Sequence, residues 1–465
     1  MSKKIPKVKP EKKAKLNATH RKRQDKNLTL INADAAGIDI GSAKHYVSVP
    51  EDRDEKPVRV FSTFTRDLKA LSEWLKTCGI KTVAMESTGV YWIPLYDLLI
   101  DEGFDVNLVN ARHLKNVSGR NKTDVMDCQW IQRLHTFGLL SGSFRPEKAI
   151  CELRAYHRQR EMLVSESSKH ILHMQKAMTQ MNLQLHNVLS DVTGATGIQI
   201  IRAIVGGEHD PKKLAIYRDS RCKNPLEIIE KSLEGAYREE HLFSLKQALE
   251  LYDFYQEKRG DCDEKINHLL QSFEDRSQGA ELPPLSAQKK KSKQKNGPAF
   301  NLRASLFQLT GVDLTVIPGL NSLSLFKIVS EVGIDMSPWK TEKHFASWLG
   351  LSPGNKISGE KRLPGRTVAT KNRAAAAFRL GANTLYRSGS ALGAYHRRMR
   401  YRLGAAKAVT ATAHKLARIF YRLLKYGLEY VEQGQAKYEA ETKAREFKNL
   451  KRRAKQMGYS LNLME

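Results

Sequence analysis

The sequence predicts an α/β domain on the N-terminal side, a helical middle, and a basic, mainly α-helical module beyond it. Three observations predict this. Between residues 34 and 150, three short β-like runs come in succession, and strands and helices then alternate. Between 151 and 275 apolar residues recur at helical spacing with no strand series. From Pro353 to Lys425, seventeen Lys and Arg stand against a single acid, Glu360, with alanines and apolar residues interleaved as in folded basic helices.

Residues 1–33 open the chain as a basic, disordered tail, with eleven Lys/Arg and two acids in the first thirty positions. AAGIDIGS, HYVSVP and VRVFSTF then read as strands. DLKALSEWLKTCG reads as a helix, with Leu68, Leu71, Trp74 and Leu75 on one face and Gly79 at its end. KTVAMES is a buried-type strand, YWIPLYDLLIDEG a helix, FDVNLVN a strand, ARHLKNV a short helix, and KTDVMDCQWIQRLHTFG a longer one. The order predicts an antiparallel meander joined to parallel strands within 34–150.

In the 151–275 region, Ile171, Met174, Met178, Met181, Leu185 and Val188 form a heptad-like seam, and Leu242, Leu245, Leu249 and Tyr252 repeat the rhythm. The seam predicts helical arms or a coiled coil, packed either within the chain or against a second copy. Residues 276–304 combine prolines with a lysine run and read as a linker. A second globular region spans 305–432, and 433–465 reads as a charged helix or tail.

A net charge of +28 over 465 residues favours a polyanionic partner. No apolar stretch approaches the roughly 18–20 residues that a bilayer crossing needs, so no membrane role is expected. The five cysteines are odd in number and scattered and form no CxxC pair, so neither a disulfide framework nor a cysteine zinc site is supported. An intracellular, reducing compartment is the expectation.

Four acids could carry chemistry. Asp39 sits in a strand running toward Gly41, and Glu86 ends the apolar run Val83-Ala84-Met85. Asp124 and Asp127 are three apart at a helix start, so they project from nearly one face. Carboxylates from two strand ends and a helix can converge above a sheet and, as hard oxygen ligands, suit Mg²⁺ or Mn²⁺. Each also has a plain structural reading. Asp39 could cap a turn, Asp124 could be an N-cap, and Glu86 could cap the next helix.

The runs GIDIGSAKHYVSV, MESTGVYWIPLYDLL and VNARHLKNVSGRNKTDVMDCQW closely resemble the RuvC-like (RNase H-like) domain of IS110-family transposases, which are related to the Piv DNA invertase. The resemblance implies an RNase H-like fold and a D-E-D-D tetrad on Asp39, Glu86, Asp124 and Asp127. KNVSGRNKTDVMD is its most specific segment. The second region carries TVIPGLNSLSLFKIVSEVG, read as helix, Gly319 turn and helix, then a Gly-rich basic stretch that includes Gly354 and Gly359. This resembles the C-terminal transposase domain of the same family, including the IPG start and the Leu-x-Pro…Ser-Gly block. There the family bears a serine that attacks DNA and becomes covalently joined to it. The best positional match is Ser358, with Ser352 its competitor. A serine hydroxyl needs activation; only Glu360 lies beside Ser358, so its activation has to come from elsewhere in space, with the four acids as the source.

The resemblance implies a prokaryotic, cytoplasmic, nucleoid-associated transposase that uses Mg²⁺ (or Mn²⁺), acts on donor and target DNA, is guided by a structured bridge RNA, and assembles as a dimer or tetramer. Three rivals remain. A metal-dependent nuclease or Holliday-junction resolvase would form no covalent intermediate. Gly37-Ile38-Asp39-Ile40-Gly41 also resembles the first phosphate loop of the actin/sugar-kinase ATPases, but the second phosphate loop and the adenosine motif of that group are missing. A non-catalytic RNA-binding protein is the third. Elsewhere, His157 and Arg160 fit an HxxR fragment by chance, His170 and His173 read as solvated polar side chains, and Arg397, Arg398, Arg400 and Arg402 among Tyr395 and Tyr401 form either a nucleic-acid contact or a solvated face.

Overall fold

The computed structural model describes residues 29–110, 123–284, 296–354, 356–363, 365, 367–368, 370–427, 440, 443–445 and 447–460. The predicted short helix at ARHLKNV, most of the N-terminal tail, and the lysine run of the linker lie outside these residues. The chain divides into two compact units between Arg145 and Pro146.

The first unit is built on a five-stranded mixed sheet in the order β3-β2-β1-β4-β5. The strands are β1 (Ala35–Ile40), β2 (Lys44–Ser48), β3 (Val58–Ser62), β4 (Thr82–Glu86) and β5 (Asp105–Val109). β1, β2 and β3 pair antiparallel as a meander, and β4 joins β1 in parallel, followed by β5. This is the predicted order. Helices α1 (Thr65–Thr77) and α2 (Ile93–Asp101) connect the strands, and α3 (Asp124–Thr136) follows β5.

Side chains alternate across a sheet, and the two faces are covered by different helices. Ala36, Ile38, Ile40, Val83 and Met85 share one core with Leu68, Leu71, Trp74 and Leu75 of α1 and with Leu95 and Leu99 of α2. The α1 residues are the four that the spacing predicts. Ala84 and Val109 point the other way and pack on Ile131 of α3. A helix on each face of a mixed sheet in this order fits an RNase H-like domain.

In the second unit, two long helices, α4 (Lys148–Gln180) and α9 (Glu239–Ser272), lie antiparallel. The direction follows from their contacts: Arg160 pairs with Asp263, Gln256 donates to Ser167 at 2.7 Å, and His170 stacks on Tyr255. Between them in sequence come the short helices α5 (Leu185–Val188), α6 (Ala195–Val205), α7 (Pro211–Ala215) and α8 (Leu226–Lys231). The predicted seam is used within the chain: Met174, Met178, Met181 and Leu185 are fully buried with Leu245 and Ile200, and Ile171, Val188, Leu242 and Tyr252 pack against them.

The C-terminal module comprises α10 (Leu302–Thr310), α11 (Ser322–Val332), α12 (Glu342–Trp348), the strands β6 (Lys356–Ser358) and β7 (Lys361–Leu363), then α13 (Arg373–Thr384), α14 (Ala391–Leu403) and α15 (Ala405–Tyr426). Its core is aromatic. Phe345, Phe378, Phe420 and Tyr421 are fully buried, and the Tyr421 hydroxyl donates to the Trp339 carbonyl at 2.7 Å. The Gly319 turn packs tightly, because a Cβ there would come 2.7 Å from the Gly381 carbonyl oxygen. Among the described residues, no helix is long and apolar enough to cross a membrane.

α4 is bound to α11 by ion pairs. Arg158 meets Glu331 through two guanidinium nitrogens at 2.9 and 2.7 Å, and Arg154 donates to the Glu331 carbonyl at 2.7 Å. One turn on, Glu161 receives Lys327 at 2.5 Å and Arg373 at 3.4 Å. His157 lies buried between these groups with its ring edge-on to Phe326. Arg160 is committed to Asp263 and the Asn296 carbonyl, so the HxxR spacing belongs to this packing.

Candidate active site

β1 and β4 are in register up to Ile38 and Met85, so Asp39 and Glu86 are the next pair along two neighbouring parallel strands. Ile38 and Met85 face the core under α1 and α2. Alternation therefore sends Asp39 and Glu86 to the opposite face, which is the face that α3 covers. Two contacts fix the direction of α3. A Cβ on Gly37 would lie 2.1 Å from the Gln132 backbone nitrogen and 2.5 Å from the Cys128 oxygen. Thr82, at the start of β4, holds His135, near the end of α3, at 2.8 Å. The helix thus runs opposite to the strands, and its first turn lies over their carboxyl ends. Asp124 and Asp127 occupy that turn.

The four acids therefore share one face and one end of the sheet. Asp39, Glu86 and Asp127 are half-buried, and Asp124 is exposed. The alternative readings of two of them do not describe the structure. Thr123, not Asp124, is the N-cap of α3, its hydroxyl accepting from the Met126 nitrogen at 3.3 Å. The residue before α2 is Trp92, so Glu86 caps no helix; its Oε1 accepts from the Thr88 hydroxyl at 3.0 Å.

Cys128, one residue beyond Asp127, is fully buried under this turn. Burial pushes its thiol up to about 12, and the carboxylates of Asp39 and Asp127 add to the effect. A single thiol thus feels an acid from the strand and an acid from the helix. Such a cysteine is an inert packing residue.

Among the described residues, no three His, Cys, Asp or Glu side chains close into a metal-binding group. Mg²⁺ does not need such a cage. It keeps several waters and completes its shell with substrate phosphates, so the carboxylates that hold it need not close on one another beforehand. Half-exposed carboxylates at neighbouring strand ends fit a hard cation that stays open to a substrate, and the donor set offers only oxygen.

Ser358 ends β6, exposed, next to a two-residue turn in which Gly359 and Glu360 both have positive φ, +53° and +63°. A tight hairpin turn of this kind needs such angles, and glycine adopts them without strain. Among the described residues, the Ser358 hydroxyl makes no hydrogen bond, so it is not spent on capping the turn. Ser352 is half-buried beside Pro353. Glu360, the neighbouring acid, is exposed. In the same module Tyr401 is almost wholly exposed, Arg400 lies over the Tyr386 ring at 4.5 Å, and Arg397 donates to the carbonyls of Tyr386 and Ser388.

Two residues near the acids escape a reading by residue type. Gly37 permits the close approach of α3, and the only sign of it was the small residue one alternation from Asp39. Tyr46 is the cross-strand partner of Asp39 and shares its face. The alternation of Tyr46 with the buried His45 and Val47 could have revealed it.

A five-stranded mixed sheet in this strand order, followed in sequence by a basic helical module, fits an RNase H-like domain joined to a helical one. A transposase family model for the DEDD transposases of IS110 matches residues 36–183, and the transposase IS116/IS110/IS902 family matches residues 313–397. The chain belongs to the IS110 family of transposases, and its substrate is DNA. A search of curated proteins finds no match.

Proposed function

We propose that this transposase cuts and rejoins DNA strands with a divalent metal held by Asp39, Glu86, Asp124 and Asp127, and with Ser358 as the nucleophile. The observation that carries the reading is the placement of Asp39 and Glu86 on the face, and at the end, where the first turn of α3 presents Asp124 and Asp127. When bound, Mg²⁺ or Mn²⁺ supplies charge neutralisation at the phosphate and at the departing oxygen. The carboxylates orient that charge, and the half-buried setting of Asp39, Glu86 and Asp127 reduces competition from water. The Ser358 oxygen bonds to phosphorus as one sugar oxygen leaves with a proton, and a strand hydroxyl later displaces the serine. One phosphodiester is exchanged for another, so no nucleotide cofactor is consumed. Ser358 brings no base of its own, and activation comes from outside its hairpin.

The net charge of +28 suits binding along phosphate backbones. In this reading a structured bridge RNA chooses donor and target DNA by base pairing, which leaves the protein to read backbone and shape. It works as a dimer or tetramer in the cytoplasm, at the nucleoid. A suicide DNA substrate tests the chemistry: wild type yields a covalent protein–DNA adduct, Ser358→Ala yields none, and Ser352→Ala retains it. Cutting without any adduct would instead describe a metal-dependent nuclease or resolvase. Sequencing the RNA that copurifies with the protein tests the guide.

A further inference from the structure

The loop that leaves the candidate active site presents apolar surface to solvent. It runs from Ser87 to Trp92, directly after Glu86. Val90 is 66% exposed and Tyr91 47% exposed, although the loop around them is firmly built. The Ser87 nitrogen donates to the Val109 carbonyl at 2.9 Å, which fastens the loop to β5. Gly89 has φ +56°, and the Trp92 indole donates to its carbonyl at 3.1 Å, closing the turn. Trp92 is braced in turn: Arg145 lies over its ring at 5.0 Å and over Tyr96 at 4.4 Å, and is tied to Asp97 at 2.7 Å. The bracing holds the backbone of the loop in place while Val90 and Tyr91 stay accessible to a partner.

We propose that Tyr91, backed by Val90, stacks on the base next to the phosphate being cut, and so positions that phosphate over the acids. The inference rests on the reading of Asp39 and Glu86 as DNA-cutting carboxylates. The occupant follows from position: the loop begins at Glu86, so the group that reaches it is the strand whose phosphate lies at the carboxylates. Every base offers a flat face to an aromatic ring, and such stacking is independent of sequence. Tyr91 is a positioning residue, since it touches the substrate beside the reacting bond and takes no part in the bond exchange.

The test uses the full-length protein together with the RNA that copurifies with it, and a duplex spanning one end of the element that encodes it, with 2-aminopurine placed at each position in turn. Ca²⁺ replaces Mg²⁺ to hold the complex uncut, and parallel reactions with Mg²⁺ map the cut. The expected result is quenched fluorescence at one position, adjoining the mapped cut, in wild type and in Tyr91→Phe. The quench is lost in Tyr91→Ser, which also binds the duplex at least about fivefold more weakly. Asp39→Asn keeps the quench and loses the cutting. Normal cutting with an unchanged quench in Tyr91→Ser, or a quench far from the cut, would overturn the stacking role alone. Failure of wild type to cut any such DNA with Mg²⁺ would overturn the metal-site reading beneath it as well.

Discussion

Thr82 and His135 share a hydrogen bond of 2.8 Å between Oγ1 and Nε2, and this bond ties the end of α3 to the beginning of β4. With the tail of the helix held there, its first turn and the two acids in it are directed to the other end of the strands, where Asp39 and Glu86 stand. His135 is 5% exposed, and burial holds its imidazole below the usual histidine range. The ring is therefore neutral at pH 7 and can share one proton with the threonine hydroxyl. Replacing Thr82 by the isosteric valine leaves a buried ring nitrogen without that partner. The expected cost is about 1–2 kcal/mol, read as a lower midpoint in urea unfolding followed by a probe in the first unit.

Gly37→Ala tests the contact between strand and helix. The added methyl would meet the backbone of α3 at 2.1 Å, and a backbone cannot swing aside as a side chain can. The helix would have to lift from the sheet and carry Asp124 and Asp127 away from Asp39. A loss of about 3 kcal/mol or more is expected, together with loss of DNA cutting. Proteolysis and far-UV circular dichroism read the first effect. A stable, active Gly37→Ala protein would contradict the packing described here.

These two residues also show what the sequence conceals. The strand order, α1 with its four buried residues, and the acids at strand and helix ends were legible, because alternation and helical spacing record which side chains meet water. The partner of each face is not recorded locally. Nothing in Gly-Ile-Asp-Ile-Gly says that a helix ninety residues later, roughly, rests on its first glycine. The methionine seam was ambiguous for the same reason. Periodicity identifies an apolar stripe, and only the fold shows that Leu245 and Ile200 of the same chain cover it. Ser358 was carried by resemblance, since a hairpin serine looks alike whether it caps a turn or, as here, stands exposed.

The junction of α4 with α11 should be sensitive to acid. His157 is buried without a hydrogen-bonding partner on either ring nitrogen. Burial pulls its pKa down to about 4; Glu161, at 3.8 Å, opposes the shift, while Lys327 and Arg160 reinforce it. The folded protein thus binds this proton less readily than the unfolded chain, whose histidine titrates near 6.5. Stability is then complete above about pH 6.5 and falls as the pH drops toward about 4, by on the order of 3 kcal/mol. Burial depresses His45, His135, His396 and His414 in the same direction, so the whole chain loses stability over the acidic range. His157→Phe, packed on Phe326, should flatten the part of the slope that belongs to this site in a series of unfolding curves from pH 7 to pH 4.5.

Glu331→Gln should loosen the same junction for a different reason. Its carboxylate side chain is 10% exposed and faces Arg158 in a two-pronged contact, with Arg154 close by at 3.5 Å. Neutralising it leaves two guanidinium groups without their counter-charge. Breaking a fully buried pair costs about 3–5 kcal/mol. Arg158 is 43% exposed and regains water, so about 2 kcal/mol is the expected loss here. The paired change Glu331→Gln with Arg158→Gln should recover part of it, measured as a coupling energy in a double-mutant cycle.

The acids themselves separate charge from shape. Asn and Gln keep the size of Asp and Glu but cannot neutralise a divalent cation, so Asp39→Asn, Glu86→Gln and Asp127→Asn should fold as wild type. Cutting of DNA should fall by about a thousandfold in each, equivalent to several kcal/mol of lost stabilisation at the departing oxygen. Asp124 is exposed while the other three acids are half-buried, and water can replace one ligand of Mg²⁺ at modest cost, so Asp124→Asn should be the mildest of the series. Chelation with EDTA should stop cutting by wild type and Mg²⁺ should restore it, while DNA binding, carried by diffuse positive charge, persists in the chelator. Recombination at the wild-type rate in Asp39→Asn and Asp127→Asn would remove the metal from the account and leave a protein that only binds nucleic acid.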